Sequence, residues 1–386
     1  MAARSQLADA GVPAADEIGL LTTAEFVAEL HDRLALATER IAIQLMTFDG
    51  DPSGLAIATR LIAAAKRGVS VCLLIDSFAM RFVSDTPVGS SKVRAEFDST
   101  LDMFERLRAG GVEVRFTNGN GPGNVFALAR NHKKLYVIDD VAYVGGVNVS
   151  DHNFRWHDFM VRVTGTDLLR LLRADFDDTL AGQYTSIERC LGSVTVVTNR
   201  ELAQTFDSLV GGARRRVVVA SPYALDRRLV RSLEASPASV RTVVMADRNN
   251  FRFLEAITPY LAARAARAGV GLRRYSTFSH SKFLLADDQL LVGSSNFGRH
   301  SLTCNQEIGL VISDDSFVAR FEAAFLADLR PVRVSQSKRR RLFGWMATAI
   351  MECYLIAYSE LIAPRVQLLV SQNPQRWPER AVTRPV

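Results

Sequence analysis

The chain has 386 residues, 48% hydrophobic and 23% charged, which is a globular composition that excludes disorder as the main state and a length that suits two domains of about 150–190 residues. Its four cysteines, Cys72, Cys190, Cys304 and Cys353, lie far apart with no CxxC pair, so neither a disulfide scaffold nor a cysteine zinc site is expected and a reducing compartment is the default. Lys+Arg 47 against Asp+Glu 41 gives a net charge of +6, too small on its own to mark a nucleic-acid binder.

Met1 to Glu17 lacks an apolar core of signal-peptide length, and no run of 18 uninterrupted apolar residues occurs. Arg40-Ile-Ala-Ile-Gln-Leu-Met-Thr-Phe48 reads as a buried strand, Gly54 to Arg67 as a helix, and Gly68 to Asp76 as a second strand. A helical stretch from Ala95 to Ala109 leads to the strand Gly111 to Phe116. The order then repeats. Arg216 to Pro222 is a strand, Arg227 to Glu234 a helix, Val240 to Asp247 a strand, Phe251 to Ala268 a helix, and Gly269 to Arg273 closes the copy.

This alternation predicts α/β layering with mostly parallel or mixed sheets covered by helices. The expected division is an N-terminal extension over 1–24, a first domain over 25–185, a second over 195–330 and a tail over 331–386. The segment Ser77 to Arg94 has no counterpart in the second copy, which makes it a candidate mobile loop, with Phe78, Met80 and Phe82 as candidate lipid contacts.

Each copy ends in the same pattern. The first is His132-x-Lys134-x4-Asp139 followed by Gly145-Gly146-x-Asn148; the second is His280-x-Lys282-x4-Asp287 followed by Gly293-Ser294-x-Asn296. His to Lys is two residues, His to Asp seven and His to Asn sixteen in both. One match among six histidines is within reach of accident; two at equivalent repeat positions are not.

His and Lys two apart on a strand share a face. Two such strands side by side would gather two imidazoles and two ammonium groups around one phosphodiester, with the lysines and asparagine amides holding its oxygens. One imidazole can attack phosphorus while the other protonates the departing oxygen, through a phosphohistidine. Lysines can take the place of a metal, and no carboxylate-rich cluster calls for one. Asp158, 26 residues after His132, and Glu307, 27 after His280, are candidate acceptors for the Nδ1 proton of their own half's histidine. His152, His157 and His300 read as local hydrogen-bonding or surface residues.

The paired patterns resemble the phospholipase D superfamily over roughly Glu25 to Asp328. Within it the strand–helix–strand opening and the Arg130-Asn131-His132 lead-in are most similar to bacterial cardiolipin synthases. The resemblance implies two pseudo-symmetric α/β/α domains with the active site at their interface, and a phosphatidyltransferase using an anionic phospholipid such as phosphatidylglycerol. It implies His132 as nucleophile and His280 as general acid. Lys134, Lys282, Asn148 and Asn296 match phosphate-binding positions, Asp158 and Glu307 supporting acids, and Asp139 and Asp287 structural ones. Arg130 is a further candidate phosphate contact.

Neither cofactor nor metal is implied, and one chain carries both half-sites, so no oligomer is required. Hydrolysis to phosphatidic acid, a phosphodiesterase or nuclease of the same superfamily, and a non-catalytic membrane scaffold are the alternatives. The turn between motif Asp and Gly is one residue shorter than the usual form in both copies, and Gly298 and His300 stand where an Asp and an Arg are common. Some cardiolipin synthases carry two amino-terminal spanning helices; this sequence shows none, which implies the shorter, peripheral type.

From Pro331 onward nine basic residues face three acidic ones, leaving residues 1–330 balanced at 38 of each. A neutral body with a basic tail suits an anionic membrane better than nucleic acid. Lys338 to Arg341 precede a largely apolar stretch to Tyr358, in which Arg341, Thr348, Glu352 and Ser359 form one narrow polar stripe on a helix. Such a helix either lies in a bilayer interface or packs against the body or a sister subunit. The implied location is cytoplasmic, on the inner face of the cell membrane.

Overall fold

A computed structural model describes residues 18–84, 86–87, 90–91, 93–119, 128–223, 226–246, 254–334 and 338–363. The strand end at Asp247, the helix start at Phe251 and most of the expected N-terminal extension lie outside them, as does the tail beyond Ala363.

The first half runs β1 (Ile18–Thr22), α1 (Thr23–Leu36), β2 (Arg40–Leu45), α2 (Pro52–Lys66), β3 (Ser70–Asp76), β4 (Phe82–Val83), β5 (Thr86–Pro87), α3 (Arg94–Ala109) and β6 (Glu113–Thr117). It continues with β7 (Leu135–Ile138), β8 (Val141–Gly145), α4 (Asp151–Arg155), β9 (Phe159–Val163) and α5 (Thr166–Leu180). The second half runs β10 (Glu188–Leu191), β11 (Val194–Thr198), α6 (Asn199–Gly212), β12 (Arg216–Ser221), α7 (Arg227–Ala235), β13 (Val240–Met245), α8 (Leu254–Arg267) and β14 (Gly271–Arg274). It ends with β15 (Phe283–Ala286), β16 (Gln289–Gly293), α9 (Arg299–Cys304), β17 (Ile308–Ile312), α10 (Asp315–Phe325), β18 (Arg330–Pro331) and α11 (Lys338–Leu361).

The first sheet has the order β1-β9-β8-β7-β2-β3-β6, and the second repeats it as β11-β17-β16-β15-β12-β13-β14, with β10 and β18 added at its edges. Only β2, β3 and β6, and their equivalents β12, β13 and β14, are parallel neighbours. The remaining pairs are antiparallel, so the sheets are mixed rather than mostly parallel. The motif segments form the antiparallel hairpins β7–β8 and β15–β16 at the centre of each sheet.

Three packing layers follow from which faces are apolar. One face of each sheet is covered by its own helices, as in the cluster of Phe26, Leu30, Ile57, Leu61 and Leu107 over Ile41, Ile43 and Leu73. The opposite faces share a single core with α5 and α10, in which Phe159 of β9 meets Phe321 and Phe325 at 5.1 and 4.9 Å. Alternation along β9, β17 and their neighbours puts apolar residues on both faces, as a doubly covered sheet requires.

Segments outside the expected domain bounds also add strands to the sheets. Ile18–Thr22 is an edge strand paired with β9, and Glu25 lies inside α1 as the third residue of a capping box with Thr22. Likewise Glu188–Leu191, between the two expected domains, and Val194–Thr198 supply two strands of the second sheet. β1 and β11 pair with β9 and β17, more than a hundred residues away, whereas β10 folds back on β11 as a short hairpin. Helix α2 also begins before Gly54, because Asp51 accepts the Gly54 N–H with Pro52 at the first helical position.

Candidate active site

His132 and Lys134 sit in the extended segment that enters β7, and His280 and Lys282 in the one that enters β15. Each segment is stitched to the opposite half. His132 N–H donates to Gln306 O at 2.9 Å and Gln306 N–H to Arg130 O at 2.8 Å. In the mirror contact His280 N–H donates to His157 O at 3.0 Å and His157 N–H to Phe278 O at 3.4 Å. These two parallel bridges close the cleft along the pseudo-twofold axis.

The stitching puts each imidazole beside a carboxylate of the other half. His132 Nδ1 lies 3.0 Å from Glu307, and His280 Nδ1 lies 3.0 Å from Asp158. The sequence pairing of each acid with its own half's histidine is therefore corrected: the acids are exchanged. The reason is topological, since Glu307 immediately follows the residue bridged to Asn131, and Asp158 the residue bridged to Ser279.

Both histidines, both lysines and both acids are buried, and their charges act on one another across the halves. Burial, reinforced by the lysines, holds both imidazoles below their ordinary range, His132 at about 4 and His280 well down from its usual value. Burial likewise lowers Lys134 to about 7 and Lys282 to about 8. Each ammonium folds back onto its own histidine's carbonyl, at 2.8 Å for Lys134 and 2.6 Å for Lys282. The two carboxylates are taken up by the imidazoles while the lysines reach main-chain carbonyls, an arrangement that suits a site made to receive a phosphate.

The two acids differ. Burial pushes Asp158 up to about 6. Burial would raise Glu307 too, but His132, Lys134 and Ser294 overturn it and hold the carboxylate at about 2. Ser294 and Ser301 both donate hydroxyl hydrogen bonds to Glu307. The first-half equivalent of Ser294 is Gly146, and a Cβ there would stand 2.4 Å from Asp158 Oδ2. The GG-versus-GS difference between the copies thus sets how each acid is solvated by the protein.

The remaining expected residues divide into cleft and scaffold. Asn148 is buried with Oδ1 3.5 Å from Thr47 N, and Asn296 carries a buried Oδ1 with no hydrogen-bond partner among the described residues. Arg130 is buried, and its guanidinium donates to Asp76 at 3.0 Å and Ser77 at 3.2 Å, both buried as well. Asp76 also accepts the Asn131 N–H at 2.5 Å, so this pair fixes the approach to His132.

Asp139 accepts the N–H groups of Thr38, Glu39 and Arg40, and Asp287 those of Arg214, Arg215 and Arg216. Both are structural, tying the motif hairpin to the start of the adjacent strand. Gly145 and Gly293 end β8 and β16 against β9 and β17. Gly293 has φ +153 and a backbone carbonyl 2.2 Å from where a Cβ would be, which leaves room for glycine alone.

Sequence reasoning missed Ser301, Asp76 and Trp156, whose ring lies 4.8 Å from that of His280. An aspartate closing the apolar strand β3 was the only local signal among them. It also missed Asp49, Asp51 and His152, whose ligand atoms lie within 4.8 Å of one another; the trio is built from segments a hundred residues apart. Asp51 there already accepts the Gly54 and Asp151 N–H groups. His157 packs on Tyr275 and Phe325, and His300 donates to Leu128 O at 2.6 Å, so both make contacts between the halves rather than local ones. Phe78 and Phe82 stack at 4.4 Å across a short turn.

Two duplicated α/β halves with one histidine–lysine set from each define a two-histidine site of the phospholipase D kind. The model of the family described as cardiolipin synthase, PLD-like domain, matches residues 30–180 and 195–329, and the chain belongs to that family.

Among curated relatives, Cardiolipin synthase A of Pseudomonas putida is 28% identical over 77% of this chain, which spans 64% of that protein's length. Minor cardiolipin synthase ClsB of Bacillus subtilis (strain 168) is 23% identical, covering 85% of this chain and 86% of its own. The phosphatidylserine synthase of Haemophilus influenzae Rd KW20 shares the fold with a TM-score of 0.67 at 15% identity, over 90% of this chain and 95% of that one. The polyphosphate kinase of Porphyromonas gingivalis does so at 0.53 and 15%, over 89% and 56%.

Proposed function

We propose that the protein is a phosphatidyltransferase of cardiolipin-synthase type, its two halves acting as domains that share one site. The observation that carries this reading is the exchanged pair of histidine–carboxylate contacts at 3.0 Å. With Nδ1 held by Glu307, the His132 ring offers Nε2 to phosphorus. The P–O bond to the departing alcohol breaks as the P–N bond forms, and His280, neutral in the empty site and protonated once the anionic diester offsets the two lysines, gives that oxygen its proton. In the second half-reaction His280 takes the proton from an acceptor hydroxyl, whose oxygen displaces His132 from phosphorus.

Lys134, Lys282, Asn148 and Asn296 hold the non-bridging oxygens. An anionic phospholipid such as phosphatidylglycerol is the donor, without cofactor, metal or second subunit. The enzyme works at the inner face of the cell membrane, reached through the C-terminal segment.

The test is incubation of the full chain with labelled phosphatidylglycerol and separation of diphosphatidylglycerol from phosphatidic acid. Transfer product from the wild type, none from His132→Ala, and label trapped on the His280→Ala protein are expected. Phosphatidic acid as the sole product would convert the reading to hydrolysis, and turnover by His132→Ala would reject the mechanism.

A further inference from the structure

Helix α11 is amphipathic in the inverted sense. Its polar stripe faces the protein: Thr348 and Glu352 are buried, and Glu352 accepts from Arg227 at 2.6 Å and Arg231 at 2.9 Å. Leu342, Phe343, Trp345, Met346, Ile350, Tyr354, Ile356 and Leu361 point outward, between 38% and 69% exposed. Among the described residues only Leu36 and Val240 are other exposed large apolar side chains. At about 100° per residue these eight cover roughly half the helix circumference. A soluble monomer rarely concentrates its exposed apolar surface in this way.

Two observations choose the occupant. The four consecutive cations Lys338 to Arg341 open the same helix, and cations beside an apolar helix face complement an anionic lipid surface. The far end of the helix adjoins the catalytic cleft: Tyr358 and Ala363 pack with Ala129 and Cys304, the residues just before Arg130-Asn131-His132 and Asn305-Gln306-Glu307. The helix therefore ends beside the segments that carry the site proposed to act on phospholipid, and the choice of a bilayer rests on that reading.

By length and mean hydropathy Leu342–Leu361 would also pass for a membrane span. Spanning would strip Glu352 from both arginines and carry a carboxylate into hydrocarbon.

We propose that α11 is a monotopic docking helix, clamped to the body through Glu352 and lying in the plane of an anionic bilayer with its apolar half in the headgroup boundary. The experiment is co-sedimentation of the full chain with vesicles of phosphatidylcholine alone or with added phosphatidylglycerol, alongside hydrolysis of the soluble diester bis(p-nitrophenyl) phosphate. Binding should be at least 10-fold tighter with phosphatidylglycerol present. The double variant Phe343→Ser/Ile350→Ser should lose at least 10-fold in binding and keep its soluble-diester turnover. Bound protein should be released by alkaline carbonate, and bromine-labelled acyl chains should quench fluorescence in the wild type more than in Trp345→Phe.

Carbonate-resistant binding would overturn the in-plane placement in favour of a span. A dimer dispersed by the double substitution, with vesicle binding unchanged, would assign the face to a second copy. Vesicle binding without lipid turnover would leave the docking helix standing and reject the proposed enzyme instead.

Discussion

His132 of the first half is held by Glu307 of the second, 175 residues further along the chain. Each half therefore owns a histidine whose orientation depends on the other half. Replacing Glu307 by Gln keeps the size of the group but lets it donate to Nδ1, which disfavours the tautomer with Nε2 available. By analogy with orienting acids in triads, a loss of roughly 10²–10⁴-fold in turnover is expected, read most directly as the single-turnover rate of label transfer to the protein. A rate within twofold of wild type would mean that the contact does not orient the ring.

The unequal surroundings of the two acids give a second prediction. Ser294→Ala removes one hydroxyl donor from buried Glu307, and a buried acceptor that loses its donor costs about 1–3 kcal/mol. Activity and urea midpoint should both fall, and Ser294→Gly should not rescue either. Gly146→Ala acts by crowding, because the new Cβ overlaps Asp158 Oδ2. It should displace the carboxylate from His280 and reduce turnover by at least 10-fold. A pH–rate comparison of the two variants checks the difference, since only Ser294→Ala changes the solvation of the acid facing His132.

The repeated His–Lys–Asp–Asn spacing made the site legible because both copies keep it residue for residue, and the strand–helix order made the layered fold legible. The exchange of Glu307 and Asp158 was not, since proximity in sequence says nothing about which half a loop crosses to. The contact of Arg130 with Asp76, 54 residues upstream, was hidden in the same way. Edge strands β1 and β10, and β11 beside β10, also escaped notice, because their apolar runs are too short to declare a partner. The polar stripe of α11 was visible as spacing alone, but only the arginines on α7 reveal that it faces inward.

The buried lysines predict an unusual pH response. An unfolded lysine titrates near 10.5, whereas Lys134 is lowered by burial to about 7 and Lys282 to about 8. Between those values and 10.5 the unfolded chain binds more protons than the folded one, so these groups make stability rise with pH, each by up to about 1 kcal/mol per unit. Lys134→Met should flatten the rise in urea midpoint between pH 7 and 9.5 and stabilise the protein at pH 7 while abolishing transfer. In the ligand-free enzyme the same deprotonation should reduce kcat/KM above pH 7–8. A wild-type midpoint that falls over this range would contradict the placement of both ammonium groups.

The motif aspartates should separate stability from chemistry. Asp139 and Asp287 each accept three successive backbone N–H groups at 2.8–3.0 Å, and each has positive φ, 42 and 52. Alanine at either site leaves those donors without their acceptor and must adopt a left-handed conformation that Asp and Asn tolerate better. A loss of about 1–3 kcal/mol per site is expected. The two losses should add, because the sites share no partner. Asn should be milder than Ala, since it keeps one acceptor oxygen and the turn. Burial tends to raise both carboxyls, but the backbone donors prevail and lower them, so their contribution holds above the ordinary carboxylate range and fades only as acid protonates them. Urea titrations of the single and double variants at pH 7 and pH 4 would measure this. kcat of the folded variants should stay within a few-fold of wild type, and a thousandfold fall with unchanged stability would show that the aspartates act in the reaction itself.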